Sequence, residues 1–134
     1  MESSRMVIDT GIFIEFLRAK DKDNTLLSNL PENGRIYISS ITLYELYMGA
    51  TAPEKRNDIE LLTSDIPVLP FNRELAVVSG EIYQSLRKQN KMIEFRDIFI
   101  AATAIANNLP LLTLNEKHFS RVDNLSLVDK TLLV

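Results

Sequence analysis

The chain has 134 residues, of which 46% are hydrophobic and 25% charged, and this composition is typical of one ordinary globular domain rather than of a disordered or fibrous protein. It contains no cysteine and a single histidine, which excludes disulfides, cysteine nucleophiles and multi-histidine zinc sites. The formal net charge of −3 argues against a protein that holds nucleic acid mainly through a strong positive field, although an enzyme acting on nucleic acid is still allowed.

No stretch of the chain has the pattern of a targeting signal or a membrane span. Residues 1–14 lack the basic segment and the uninterrupted apolar segment of a secretory signal. The longest nearly apolar run, residues 98–106, is far shorter than the roughly 20 residues that a membrane helix needs. We therefore expect a single domain over residues 1–134 that is cytoplasmic and has no contact with a membrane.

Predicted strands and helices alternate along the chain. Short runs of strand-forming apolar residues predict strands at residues 5–8, 35–39, 111–114 and 125–128. Apolar residues at helical spacing predict helices from residue 11 onward and at residues 42–50, 54–62, 72–90 and 97–106, with a short helix at residues 26–30 that Pro31 ends. Strands alternating with helices form a parallel sheet covered on both faces, so we expect a three-layer α/β fold.

Three acidic residues stand where predicted strands give way to helices. Asp9 directly follows the first strand, Glu45 lies shortly after the second, and Asp97 opens the most apolar helix. Taken singly, each fits a helix cap: Asp9 and Asp97 as N-caps, and Glu45 as the partner of Thr42 in a capping box. Taken together they indicate a site, because functional groups in an open parallel sheet gather beyond the carboxyl ends of its strands.

Three clustered carboxylates favour a bound cation, since without one they repel and raise one another's pKa. With no cysteine and one histidine in the chain, the cations that fit are those that prefer oxygen ligands, Mg²⁺ or Mn²⁺. Such ions activate water and stabilise the charge that develops when a phosphodiester is displaced. The sequence therefore predicts metal-dependent phosphodiester hydrolysis at Asp9, Glu45 and Asp97.

Four segments, in order and spacing, also resemble a known family. They are Val-Ile-Asp-Thr at residues 7–10, Ser-Ile-Thr-Leu-Tyr-Glu-Leu at 40–46, Arg-Asp-Ile-Phe-Ile-Ala-Ala-Thr-Ala at 96–104, and Leu-Thr-Leu-Asn-Glu-Lys-His-Phe at 112–119. Over nearly its whole length the chain resembles a PIN-domain protein, and within that family a VapC-type toxin ribonuclease. The resemblance implies a doubly wound parallel sheet, Mg²⁺- or Mn²⁺-dependent endoribonuclease activity on RNA, homodimerisation, and a cognate VapB-type antitoxin that blocks the active site.

The resemblance also assigns roles to individual residues. Asp9, Glu45 and Asp97 match the acids that hold the metal, and Thr10 matches the hydroxyl residue that supports the first acid. Many members carry a fourth aspartate where this chain has residues 113–119, and the best counterpart here is Asn115. It would act as a neutral oxygen ligand or as a group that orients a metal-bound water, and the competing interpretation is an ordinary turn residue after a strand. The lost charge weakens a second metal site, so we expect one well-held ion and leave a second open.

Four further residues near these motifs invite a functional interpretation. Arg96, beside Asp97, is the first candidate for binding the phosphates of RNA. Glu94 fits a solvated loop residue better than an extra acid at the mouth of the site. His118 fits a surface histidine better than a general base, and the part played by Glu116 stays open.

Two other functions compete with the nuclease. A catalytically weak PIN-like scaffold that acts through partners is compatible with the missing fourth aspartate. A signalling receiver domain has a similar length, element order and carboxylate pocket, but it requires paired acids after its first strand, where this chain has only Asp9. The receiver hypothesis therefore has the lower weight.

Overall fold

The computed structural model describes residues 4–133 of the chain. Four strands and six helices alternate in this part, in the order β1 (Arg5–Ile8), α1 (Thr10–Arg18), β2 (Arg35–Ser39), α2 (Ser40–Met48), α3 (Pro53–Thr63), β3 (Val68–Leu69), α4 (Arg73–Lys88), α5 (Phe95–Ala106), β4 (Leu111–Leu112) and α6 (Glu116–Phe119). The strands form one parallel sheet with the order β3-β2-β1-β4. The predicted parallel α/β architecture is confirmed.

Alternating side chains of the central strand divide the core into two halves. Val7 packs with the buried residues of α4 and α5, whereas Met6 and Ile8 pack with those of α1, α2 and α3. In the edge strand β4, Leu111 likewise belongs to the half of the core that contains α4 and α5, and Leu112 to the half that contains α1, α2 and α3. Successive strand residues point to opposite faces, so helices cover both faces of the sheet and the fold has three layers.

The burial of helix α5 accounts for its apolar sequence. Ile98, Ile100 and the residues Ala101 to Ala104 are all buried, and α5 packs against α4. Alanines at this position allow two helices to approach closely while still filling the core. The backbone of Asp97, in the first turn of α5, is thereby positioned by a well-buried helix.

Two local predictions were wrong. Instead of an α-helix, residues 26–30 contain the 3₁₀ turn Leu27–Asn29, which follows another 3₁₀ turn at Lys22–Asn24. Side chains in this region bond local backbone groups and so compete with a regular helix; the Thr25 hydroxyl, for example, donates to the Lys22 carbonyl. The predicted strand at residues 125–128 is reduced to a single parallel bridge between Leu127 and Leu111. The short apolar segment before Pro70 forms the edge strand β3.

Among residues 4–133, no helix has the length and apolar character that crossing a membrane requires.

Candidate active site

Asp9 is the most completely anchored acid of the candidate site. It is the last residue before α1 and 7% exposed, and its Oδ1 accepts a hydrogen bond from the Thr10 backbone N–H at 2.8 Å. Its Oδ2 accepts a second hydrogen bond from the Thr113 hydroxyl at 2.7 Å. Burial raises the pKa of Asp9, the two hydrogen bonds oppose that rise, and nearby Glu45 adds to it. The predicted cap is confirmed, with α1 beginning at Thr10 rather than Gly11.

Thr10 joins the first acid to the second. Its hydroxyl oxygen lies 2.8 Å from Glu45 Oε1 and 3.0 Å from the Thr42 hydroxyl oxygen. Since a carboxylate only accepts and a hydroxyl has one proton, Thr10 donates to Glu45 and accepts from Thr42. The buried Thr10 therefore supports Glu45 through its side chain and Asp9 through its backbone, a wider role than the resemblance implied.

Glu45 is not part of a capping box. The N-cap of α2 is Ser39, whose hydroxyl accepts from the Thr42 N–H at 2.9 Å, and Glu45 lies in the second turn of the helix. The capping interpretation was wrong because β2 runs directly into α2, so the first serine of the Ser-Ser pair already occupies the cap. Glu45 is consequently free to face the acids of the neighbouring elements.

Arg96 bridges two glutamates at the rim of the site. One guanidinium nitrogen lies 3.0 Å from Glu45 Oε2 and the other lies 2.8 Å from Glu94 Oε2. The Glu45 side chain is 13% exposed, whereas those of Arg96 and Glu94 are 49% and 67% exposed. Glu94 is therefore solvated, as its sequence position suggested, and it orients the arginine at the mouth of the site.

Asp97 is the least restrained of the three acids. It is the third residue of α5, so the prediction that it caps this helix was wrong; the cap position belongs to Glu94, which makes no side-chain cap bond. Within residues 4–133, no hydrogen bond from the protein reaches the Asp97 carboxylate. Burial first, and then the charges of Asp9, Glu94 and Glu45, raise its pKa to about 6, while His118 opposes the rise.

Asn115 and His118 form a pair beside these acids. The Asn115 side-chain nitrogen lies 2.9 Å from His118 Nδ1, and the Asn115 backbone N–H donates to the Thr113 hydroxyl at 2.9 Å. Both residues are only partly buried, so His118 lies at the protein surface with one ring nitrogen in contact with Asn115. Glu116 lies on the outer side of the same turn, exposed, where its carboxylate lies 3.6 Å from the Lys130 ammonium.

The structure brings Asp9, Glu45 and Asp97 to one edge of the sheet, but the three side chains do not form a complete metal-binding site. In the part of the chain from residue 4 to residue 133, no group of three His, Cys, Asp or Glu side chains has the arrangement of a metal site. Thr10 and Arg96 each bond one of the two oxygens of Glu45 in this arrangement. The donor set itself fits Mg²⁺ or Mn²⁺, because it consists of oxygen atoms and includes a carboxylate without a protein donor.

Comparison with known proteins decides the family. The family model described as the PIN domain matches residues 6–125, about nine-tenths of the chain. The chain belongs to the PIN-domain family. This PIN domain is 35% identical to Ribonuclease VapC of Rickettsia bellii, with 92% of this chain and 94% of that protein covered. It is 29% identical to Ribonuclease VapC1 of Methanocaldococcus jannaschii, with 94% and 87% covered.

Solved structures give the same grouping. DNA-bound VapBC from Salmonella typhimurium has a TM-score of 0.83 at 29% identity, over 94% of this chain and 98% of that chain. VapBC-1 from nontypeable Haemophilus influenzae has a TM-score of 0.80 at 32% identity, over 95% and 98%. Within the PIN-domain family, the chain is of the VapC type. This match leaves the receiver-domain alternative without support.

Sequence reasoning missed two contributors to this PIN site. Thr113 links Asp9 to Asn115, and Thr42 donates to Thr10. Both are buried threonines, at 2% and 0% exposure, one at the carboxyl end of a strand and the other in a first helical turn. A buried hydroxyl needs a hydrogen-bond partner, so an interior threonine next to predicted acids is the signal that identifies such residues.

Proposed function

We propose that this PIN domain is a metal-dependent endoribonuclease and the toxin of a toxin-antitoxin pair. The observation that carries the proposal is the meeting of Asp9, Glu45 and Asp97, from three different parts of the chain. Glu45 is near enough to raise the pKa of Asp9, and Asp9 and Glu45 are near enough to raise the pKa of Asp97. The two relatives described above are both named as ribonucleases, which supports the same activity. An RNA substrate supports a cytoplasmic location.

Asp9, Glu45 and Asp97 would hold one Mg²⁺ or Mn²⁺ ion. When bound, such an ion supplies a Lewis acid that lowers the pKa of water and neutralises charge on the scissile phosphate. Thr10 and Thr113 fix the orientations of Glu45 and Asp9, so these two carboxylates are pre-organised, whereas Asp97 is free to adjust. Asn115 is the candidate for the fourth position, as a neutral oxygen group.

Arg96 is proposed to bind the phosphates of RNA. Its guanidinium carries five N–H donors, and one nitrogen bonds Glu45 while another bonds Glu94. Because the side chain is about half exposed, the remaining donors can reach a phosphate. Arginine suits phosphate because its planar donors match two oxygens at once. Weaker RNA binding by Arg96→Gln than by Arg87→Gln, an exposed arginine at the end of α4, would support this role; equal binding would contradict it.

An antitoxin of the VapB type is the proposed partner. A groove between α1 and the α2–α3 pair is lined by apolar side chains and rimmed by charged ones, and one rim residue is Glu45 itself; its lining includes Ile14, Leu17, Leu46, Ala50 and Ile59. A segment seated there would reach a proposed metal ligand and so block the site. We expect the Leu17→Arg variant to lose binding to the protein that an adjacent small gene encodes. Unchanged binding would contradict this arrangement.

Homodimerisation is the second proposed assembly. Val77 on α4 and Phe95 at the start of α5 are 57% and 62% exposed, although both are large and apolar. Exposed apolar side chains of this size are frequent at interfaces between chains. Light scattering of the purified protein tests the proposal, with a dimer expected for the natural chain and a monomer for Phe95→Asp; a monomeric natural chain would contradict it.

The decisive experiment uses antitoxin-free protein stripped of metal and a pool of cellular RNA. Cleavage is expected on addition of Mn²⁺ or Mg²⁺ and should stop on chelation. Asp97→Asn should lower the rate roughly 100-fold or more through loss of a ligand, whereas Asp65→Asn, an exposed residue between α3 and β3, should leave it unchanged. Binding of Mn²⁺ without cleavage of any RNA would instead support the scaffold that acts through partners.

A further inference from the structure

Asn115 uses its side chain in an unusual way for a residue at the start of a helix. It occupies the cap position of α6, yet its side chain makes no cap bond. The amide nitrogen instead lies 2.9 Å from Nδ1 of His118 in the same turn. The turn therefore does not need this side chain for its own backbone, and the amide is held by the imidazole.

The contact assigns a role to each of the two groups. With the amide nitrogen of Asn115 facing the ring, Nδ1 of His118 accepts the hydrogen bond and the ring proton lies on Nε2. The same contact determines which end of the amide is occupied. Nδ2 of Asn115 faces His118, and its carbonyl oxygen Oδ1 receives no hydrogen bond from the residues that the structure describes.

The pair is connected to two of the acids. The Asn115 backbone N–H donates to the Thr113 hydroxyl, which donates to Asp9. The ring of His118 is also close to Asp97, because its protonated form opposes the rise in the pKa of that carboxyl. The free Oδ1 thus belongs to a residue connected to proposed metal ligands, whereas a freely rotating asparagine would present its nitrogen as readily as its oxygen.

We infer that His118 is a positioning residue that turns the carbonyl oxygen of Asn115 toward the proposed metal ligands, so that a neutral amide oxygen can take part in the site. This inference rests on the proposed function, because it presumes that Asp9, Glu45 and Asp97 hold a divalent cation. His118 itself touches neither the ion nor RNA. Its contribution is to remove the ambiguity between the two ends of an amide, an ambiguity that a carboxylate with two equal oxygens does not have.

The tautomer of His118 is the first test. His118 is the only histidine in the sequence, so the ring nitrogens of untagged, ¹⁵N-labelled protein give a single imidazole spin system. At neutral pH we expect the neutral ring to carry its proton on Nε2 and to keep Nδ1 unprotonated. A ring protonated on Nδ1 would mean that it donates to Oδ1, and this result would overturn the inference.

The second test measures Mn²⁺ binding, without RNA, by electron paramagnetic resonance of the full-length protein. His118→Phe keeps a ring but removes the acceptor, and we expect about tenfold weaker binding, as for other groups that orient a metal ligand. His118→Gln offers a carbonyl oxygen to the Asn115 amide and should restore most of the affinity. Both variants are compared by circular dichroism, so that a variant that fails to fold is recognised and the comparison rests on the other.

A double substitution separates positioning from a general loss of structure. In an Asn115→Asp background the two side-chain oxygens are equivalent, so adding His118→Phe should change Mn²⁺ affinity by less than about twofold. An equal loss in both backgrounds, or no loss in either, would overturn the inference while leaving the proposed function intact. Failure of the natural protein to bind Mn²⁺ at all would overturn both.

Discussion

Thr113 shows how a neutral residue determines the behaviour of a charged one. Its hydroxyl donates to Asp9 Oδ2 at 2.7 Å and accepts from the Asn115 N–H at 2.9 Å, so both its donor and its acceptor functions are used. The hydrogen bond to Asp9 stabilises the charged carboxylate against the cost of burial. At the scale of single residues, the site depends on uncharged groups as much as on the acids that the sequence makes conspicuous.

The first prediction concerns Thr113→Val, which keeps the shape of the side chain and removes the hydroxyl. We expect a loss of about 2 kcal/mol in the free energy of unfolding at neutral pH, because a buried hydrogen bond to a charged group is lost, together with weaker Mn²⁺ binding. Urea denaturation and metal titration measure the two effects. Thr63→Val is the control, since the buried Thr63 hydroxyl donates only to the Ile59 carbonyl. Natural Mn²⁺ affinity in Thr113→Val would contradict the prediction.

At the scale of elements, the sequence predicts helices well and their first residues poorly. The helical spacing at residues 72–90 anticipates α4, and that at residues 97–106 anticipates α5 to within two residues of its start. Several hydroxyl and carboxyl side chains near each start are acceptable caps, and local pattern does not distinguish among them. Hence Asp9 is a cap as expected, while Glu45 and Asp97 lie inside their helices and face the site.

The second prediction concerns α4. Ser79 lies on its buried face with Leu75 and Ile82, and its hydroxyl has no hydrogen-bond partner among the described residues. Ser79→Ala should therefore raise the free energy of unfolding by about 1 kcal/mol, because an unsatisfied buried group is removed and alanine favours the helix. Denaturation by urea measures the change. Ser85→Ala, whose hydroxyl accepts from Gln89, should show no such gain; a destabilised Ser79→Ala would mean that the hydroxyl has a partner.

At the scale of the whole molecule, the sheet topology is predictable and the contacts across it are not. Alternating elements imply that strand ends share an edge, which is enough to bring the three acids to one region. The contacts that organise the site join residues far apart in the chain: Asp9 with Thr113, 104 positions on, and Glu45 with Arg96, 51 positions on. No local pattern encodes these pairs, which is why the roles of Thr113 and His118 emerge only from the structure.

The last prediction follows from the repulsion among the acids in metal-free protein. The folded-state pKa of Asp97 is about 6 against an ordinary value of 3.8, so the folded chain binds this proton more tightly than the unfolded chain. Asp9 shifts in the same direction. The free energy of unfolding should therefore rise as the pH falls through 6 toward 4, and its contribution from Asp97 should be lowest above pH 6, where that carboxylate is charged.

Urea denaturation with chelator present, at pH 8 and at pH 5, measures this effect. We expect about 1 kcal/mol more stability at pH 5, less than a fully buried group would give because solvent screens a partly exposed carboxylate. Asp97→Asn should remove most of the difference by raising stability at pH 8, whereas the exposed Asp65→Asn should preserve it. Addition of Mn²⁺ at pH 8 should stabilise the natural protein more than Asp97→Asn, since only the former keeps all three acids. The same pH dependence in the natural chain and in Asp97→Asn would show that the carboxylates do not repel one another at this edge of the sheet.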